Sequence, residues 1–221
     1  MKKNALLIAF LCISLAGFSQ MRPKVKYGLF GGIDISNIHI TVPGQGSGTS
    51  ESRIGPHFGV LAEIPVAKYF AIQPEIAYAS LGWKESQTVY ADSLAISNPK
   101  YNLNYLSIPV LFKFKIPATI RNGNGLAVYV GPQYGYLISA NFRGDNTSGS
   151  ASTKDGFKSS DFSGIGGAKY FVAQGVGISV RYQLGFGNIF GNEASEALKE
   201  MFGSNVSVRN NALTITVGYR F

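Results

Sequence analysis

Cysteine is almost missing from this chain: the one copy, Cys12, lies within an apolar N-terminal run. Once that run is removed, neither a disulfide framework nor thiol chemistry remains. Histidine occurs only at His39 and His57, which leaves no ligand cluster at metal-binding spacing, and no metal or other cofactor is expected. Charged residues make up just 14% of the sequence, and although the formal balance is +8, it contains no basic cluster of the kind that tracks phosphates. Nucleic acid is therefore not an expected partner. Gly164-Ile165-Gly166-Gly167 lacks the Lys-Ser/Thr that completes a phosphate-binding loop. After residue 19 no apolar run is long enough for a membrane-spanning helix, so a membrane could be entered only by a closed barrel.

What is present begins with Met1 to Ser19: two lysines, an apolar core from Ala5 to Leu15, and small residues before the end. This is the pattern of a secretory signal peptide, with cleavage expected after Ser19 and a single domain over 20–221. Leu11 before Cys12 is not a small residue, which argues against a lipoprotein site.

The final stretch sets the frame for the rest. Leu213, Ile215, Val217, Tyr219 and Phe221 fall on one face of an extended strand, and Thr214, Thr216, Gly218 and Arg220 on the other. Seven more stretches read as strands: about Val25 to Ser36, Arg53 to Val66, Phe70 to Gly82, Tyr101 to Ile116, Leu126 to Ala140, Asp161 to Ala173 and Gly175 to Asn188. The sixth alternates too poorly for its faces to be assigned. Connections alternate long and short, with long ones at Asn37 to Ser52, Trp83 to Lys100, Asn141 to Ser160 and after Asn188. The last holds an expected short helix, Glu193 to Phe202, capped by Asn192 and ended by Gly203. An even strand count with alternating loops predicts an all-β fold: an eight-stranded antiparallel transmembrane β-barrel with long extracellular loops and short periplasmic turns. Tyr27, Phe70, Phe112, Phe114, Tyr219 and Phe221 would form one aromatic girdle, and Tyr78, Tyr136 and Phe186 the other. Pro56, Pro74, Pro109 and Pro132 fall inside strands and predict bulges or local distortions.

The terminal strand ending on Phe221 resembles the closing signature of Gram-negative outer-membrane barrels. Tyr105-Leu106-Ser107-Ile108-Pro109-Val110-Leu111-Phe112-Lys113 resembles the Tyr-Leu-x-Ile-Pro-x-Leu-x-Lys segment of the PorT-like, porin-family outer-membrane β-barrel proteins. Gly59-Val60-Leu61-Ala62-Glu63, Gln73-Pro74-Glu75-Ile76-Ala77-Tyr78, Gly131-Pro132 and Arg181-Tyr182-Gln183-Leu184-Gly185 are similar to other recurring pieces of that family. The resemblance implies an outer-membrane location, strand prolines as family features, and a last strand (Leu213, Ile215, Val217, Tyr219, Phe221) that addresses the chain to the barrel-assembly machinery.

The inward set of such a barrel is Asp34, Arg53, His57, Glu63, Gln73, Glu75, Lys113, Gln133, Arg181, Gln183 and Arg220. Eight strands leave an interior that side chains fill, so these predict a plug of ion pairs and hydrogen bonds, including Glu75 with Arg181. The expected role is a non-catalytic outer-membrane protein, structural or surface-interacting; the alternative is a narrow pore or an accessory to secretion across the outer membrane. His39, with serines nearby, is the one candidate for lipid-acting catalysis, and no motif fixes its geometry. Asp92-Ser93-Leu94 resembles an O-glycosylation triplet of some Gram-negative bacteria.

Overall fold

β-branched and aromatic residues at every second position favour long pleated strands, one face apolar and the other small or polar. The computed structural model describes residues 24–85, 89–91, 94–119, 125–144, 151–172 and 175–221. Eight strands form the wall: β1 (Lys26–Val42), β2 (Glu51–Pro65), β3 (Phe70–Lys84), β4 (Lys100–Lys115), β5 (Gly125–Arg143), β6 (Ser160–Phe171), β7 (Val176–Gly185) and β8 (Ser207–Arg220). Each pairs antiparallel with the next, and β8 pairs back onto β1, so the sheet closes without a free edge. Residues 66–69, 116–124 and 172–175 connect strands at one end, and the longer connections lie at the other. The expected signal segment lies outside the described residues, as do Asp92 and Ser93.

Two expectations, the first loop and the helix cap, need correcting, and the strand prolines do mark local distortions. Asn37 to Ser52 is not a long loop: β1 runs on to Val42, turns at 43–45, and returns as a short strand, Gly46–Thr49, paired on its own end. The β-branched run Ile38-His39-Ile40-Thr41-Val42 supplies the reason. The helix α1 (Asn192–Phe202) has Gly191, not Asn192, at its N-cap, with no side-chain cap bond; Gly203 ends it in the left-handed region at φ 67°. Asn188 ties its start down instead, donating to Ser195 Oγ and Val206 O at 3.2 Å each and accepting from Phe190 N. The prolines act unequally. A register shift brackets Pro56, between Ser52 and His57, whereas around Pro109 and Pro132 the ladders only skip two pairs and resume in register. A second shift, between Asn104 and Tyr105, has no proline.

The outer surface carries an apolar band. On β1 it runs through Tyr27, Leu29, Ile33 and Ile35, and on β8 through Phe221, Tyr219, Val217, Ile215 and Leu213. The eight steps from Tyr27 to Ile35 span roughly 21 Å when tilted as barrel strands are, close to the usual height of a lipid-facing band. Ile35 pairs with Leu213; the next outward pairs, Asn37 with Asn211 and His39 with Arg209, are polar.

Above that line the pattern inverts. Ile38 is 3% exposed, against 55% for Val217, and inward Ile38, Leu81, Trp83, Leu103, Leu137, Ala140, Val208 and Ala212 pack into one apolar cluster. Below the line the barrel has lipid-facing apolar residues and a polar lumen; above it, β1 and β8 turn polar residues outward around an apolar core. Gly82 marks the crossing on β3: its φ of +137° and the Tyr101 carbonyl, 1.9 Å from where a Cβ would stand, admit only glycine.

Candidate functional site

The lower lumen is a chain of charges crossing from wall to wall. Glu63, on β2, is its hub and is fully buried. Its carboxylate accepts from Lys113 Nζ on β4 and from Arg220 Nη1 on β8 at 2.7 Å, and meets Lys115 Nζ at 2.9 Å. Lys113 also donates to Gln73 Oε1 at 2.8 Å, Gln73 Nε2 donates to Glu75 Oε1 at 2.6 Å, and Arg181 Nη1 donates to Glu75 Oε2 at 2.8 Å. The Arg181 guanidinium lies 5.5 Å from the Phe30 ring and 5.8 Å from the Tyr129 ring. One connected run thus braces β2, β4, β3 and β7, with β8 attached through Arg220. In so narrow a low-dielectric lumen, charges persist because each carboxylate is multiply paired.

A second cluster sits higher. His57 Nδ1 lies 2.9 Å from Asp34 Oδ2, Thr214 Oγ1 donates to Asp34 Oδ1 at 2.6 Å, and the His57 ring stacks on Phe30 at 5.7 Å. Gln133 donates to Ser163 Oγ at 3.3 Å, and Gln183 is buried on the inner wall. Arg53 does not join the run. It keeps the inward parity, paired with Ser36, and its guanidinium donates to the Ser80 and Leu81 carbonyls at 3.0 and 3.1 Å and to Ser80 Oγ at 3.2 Å, with no carboxylate at ion-pair distance among the described residues.

Several lumen residues were missed from sequence. Asp161, Ser163, Ile165, Lys169 and Phe171 face inward from β6, whose outward Gly164, Gly166 and Ala168 blur the alternation. Tyr129, Tyr105 and Asn210 also point in, as do Ser179, Thr214 and Thr216 from the expected polar faces of β7 and β8; Asn210 Nδ2 donates to Tyr105 Oη at 3.2 Å and to Asp161 Oδ2 at 3.4 Å. Their signal was inward parity alone.

The upper end is closed by the apolar cluster. Trp83 stacks on Tyr101 with ring centres 4.3 Å apart, Phe157 approaches Trp83 edge-on at 6.2 Å, and Leu198 of α1 packs against the same cluster. Gln45 Nε2, in the β1 hairpin, donates to Phe202 O at 3.2 Å and ties α1 across the mouth. His39 is outside this closure, its Nδ1 3.4 Å from Thr49 Oγ1 on an exposed face. The glycines of 164–167 lie in β6, within the wall.

A closed eight-stranded wall, an apolar belt and a charged lumen describe a barrel built for lipid, and the sequence agrees at the level of family. A family model for the outer membrane protein beta-barrel domain matches residues 18–191. The chain belongs to that family. It is therefore an outer-membrane β-barrel protein embedded in the outer-membrane bilayer, and its short turns face the periplasm. Similar solved structures include the attachment invasion locus protein Ail of Yersinia pestis, 13% identical over 91% of this chain and 100% of that one, with a TM-score of 0.42. The outer membrane protein OprG of Pseudomonas aeruginosa is 14% identical over 91% and 98%, with a TM-score of 0.46. No match is found among curated proteins.

In this outer-membrane barrel the Glu75–Arg181 contact is measurable as a coupling. Singly, Glu75→Leu and Arg181→Met each leave a buried charge without its partner, whereas the double variant removes both charges. Urea unfolding of the four proteins refolded in micelles is expected to give a coupling of about 2 kcal/mol. Additive losses would mean that the contact contributes nothing as a pair.

Proposed function

We propose that this protein is a non-catalytic outer-membrane barrel whose role is to hold a surface platform above the membrane. The observation that carries the reading is the double closure of the lumen: ion-paired braces in the lower half, and the Trp83–Leu103–Leu137 apolar cluster above them. A water-filled path needs a polar lining along its whole length, and the apolar cluster favours a structural barrel over the narrow-pore alternative. The mouth is covered by α1 and the β1 hairpin, joined through Gln45 and Phe202, with Met201 projecting outward. Those elements offer the surface that a partner would meet. β8, with its outward row from Leu213 to Phe221, is the strand we assign to recognition by the barrel-assembly machinery.

The refolded protein is expected to insert into planar bilayers without steady conductance steps. Reproducible single-channel steps, surviving removal of contaminating porins, would replace the platform reading with the narrow pore. A secretion role would instead show as loss of exported cargo on deletion.

A further inference from the structure

The lower lumen carries more positive than negative charge. Lys113, Lys115, Lys169, Arg181 and Arg220 are gathered there, and among the described residues the carboxylates beside them are Glu63 and Glu75, both already engaged, Glu63 with Lys113, Lys115 and Arg220 and Glu75 with Arg181. Lys169 is left over. It is 6% exposed, and among the described residues its ammonium has no carboxylate or hydrogen-bond acceptor, only the Phe171 ring at 5.3 Å. That ring is already shared with Arg220 at 4.5 Å and Lys113 at 5.1 Å. A second donor is also unmatched: Arg181 Nε is buried without a hydrogen-bond partner.

Both residues line one internal cavity of about 10 Å³, together with Lys113, Gln73, Glu75, Tyr129, Ser179, Thr216, Phe30 and Leu61. That volume admits one particle about the size of a water molecule. The charged groups around it are three cations and one carboxylate; the Tyr129 and Ser179 hydroxyls bond each other and Ser179 donates to the Ala168 carbonyl, while the Thr216 hydroxyl also lines the cavity. Glu75 and Glu63 attract Lys169 only from beyond ion-pair distance and are directly paired with other cations; a buried cation so placed is costly, and a neutral water cannot offset its charge.

We propose that this cavity is a binding site for a single small monovalent anion of the halide class, held by the Lys169 ammonium and the Arg181 Nε–H. The site has room for one monatomic particle near the size of a water molecule, and carboxylates, phosphate and sulfate are too large for it. A metal cation is disfavoured by the same three positive groups. The anion completes the charge run of the lumen: it stands to Lys169 as Glu63 stands to Lys113. The proposal is independent of whether the barrel conducts, because the site acts as an internal counter-charge.

The test uses the full chain refolded in micelles, with unfolding temperature measured at fixed pH and ionic strength in sodium chloride, sodium bromide or sodium gluconate. A saturable rise of several degrees is expected in chloride and bromide but not in gluconate, and it is expected to disappear in Lys169→Met. A heat-shift gel checks that the variant is folded. Crystals soaked in bromide are expected to show an anomalous peak within hydrogen-bond distance of Lys169 Nζ, a readout that stands even if the variant fails to fold. Equal stability in halide and gluconate, a halide effect that persists in Lys169→Met, or bromide bound only at the surface would each overturn the proposal.

Discussion

Glu63→Gln is expected to destabilise the barrel by about 3–5 kcal/mol, the usual range when one member of a buried ion pair is removed. The residue is fully buried and Lys113 is 1% exposed, so water cannot take over from the lost carboxylate. Three cations converge on Glu63: Lys113, Lys115 and Arg220. The glutamine keeps the shape and one acceptor oxygen but has no charge. Lys113 keeps neutral amide oxygens, among them Gln73 Oε1, as acceptors but no counter-charge at ion-pair distance, and Arg220 and Lys115 are left repelling it. The measurement is urea unfolding of refolded protein in bilayers or micelles, read by tryptophan fluorescence and by the heat-shift gel. Lys113→Met placed in the same background is expected to recover part of the loss, since removing both charges relieves the orphaned one. A loss below 1 kcal/mol would show that Glu63 is not the hub of the lumen.

Trp83→Ala is expected to cost about 3–5 kcal/mol, the range for emptying a large aromatic from a packed core. Trp83 is the largest member of the upper cluster, 3% exposed and bounded by Tyr101, Phe157 and Leu103. Its effect should differ in place from that of Glu63→Gln. Amide exchange is expected to rise in the upper halves of β3 and β4 and in α1, whose Leu198 rests on the same cluster, while the lipid-embedded part of β8 stays protected. Exchange that rises evenly around the barrel would show that the two halves unfold as one unit.

The lipid-embedded half of the fold was legible from sequence for a plain physical reason. On β7 and β8 one face meets hydrocarbon and the other a crowded lumen, so Val176 to Gly185 and Leu213 to Phe221 alternate cleanly. β6 was illegible because the rule fails on both its faces: Ile165 and Phe171 point inward, and Gly164, Gly166 and Ala168 point outward. Lys169 and Asp161 went unassigned with it. Glu63, Lys113 and Arg220 could be named as inward, but their convergence depends on strand register and shear, which a linear pattern does not contain. Arg53 sits on the inward face, opposite Ser36, but its partners, the Ser80 and Leu81 carbonyls across a shifted register, could not be read from a linear pattern. The upper cluster did leave a signal. After Ile35 the apolar parity on β1 passes from odd to even positions, at Ile38, Ile40 and Val42, and reading Asn37 onward as a loop hid the change.

That change of parity also fixes how far the protein reaches. From Ile35 to Val42 β1 climbs another seven residues, roughly 18 Å along the membrane normal at ordinary strand rise and barrel tilt. The upper part therefore behaves as a short water-soluble mast on a lipid-soluble footing, stiff because its own core holds it. On the platform reading proposed above, a partner docking on the tips would meet them at arm's length from the hydrocarbon.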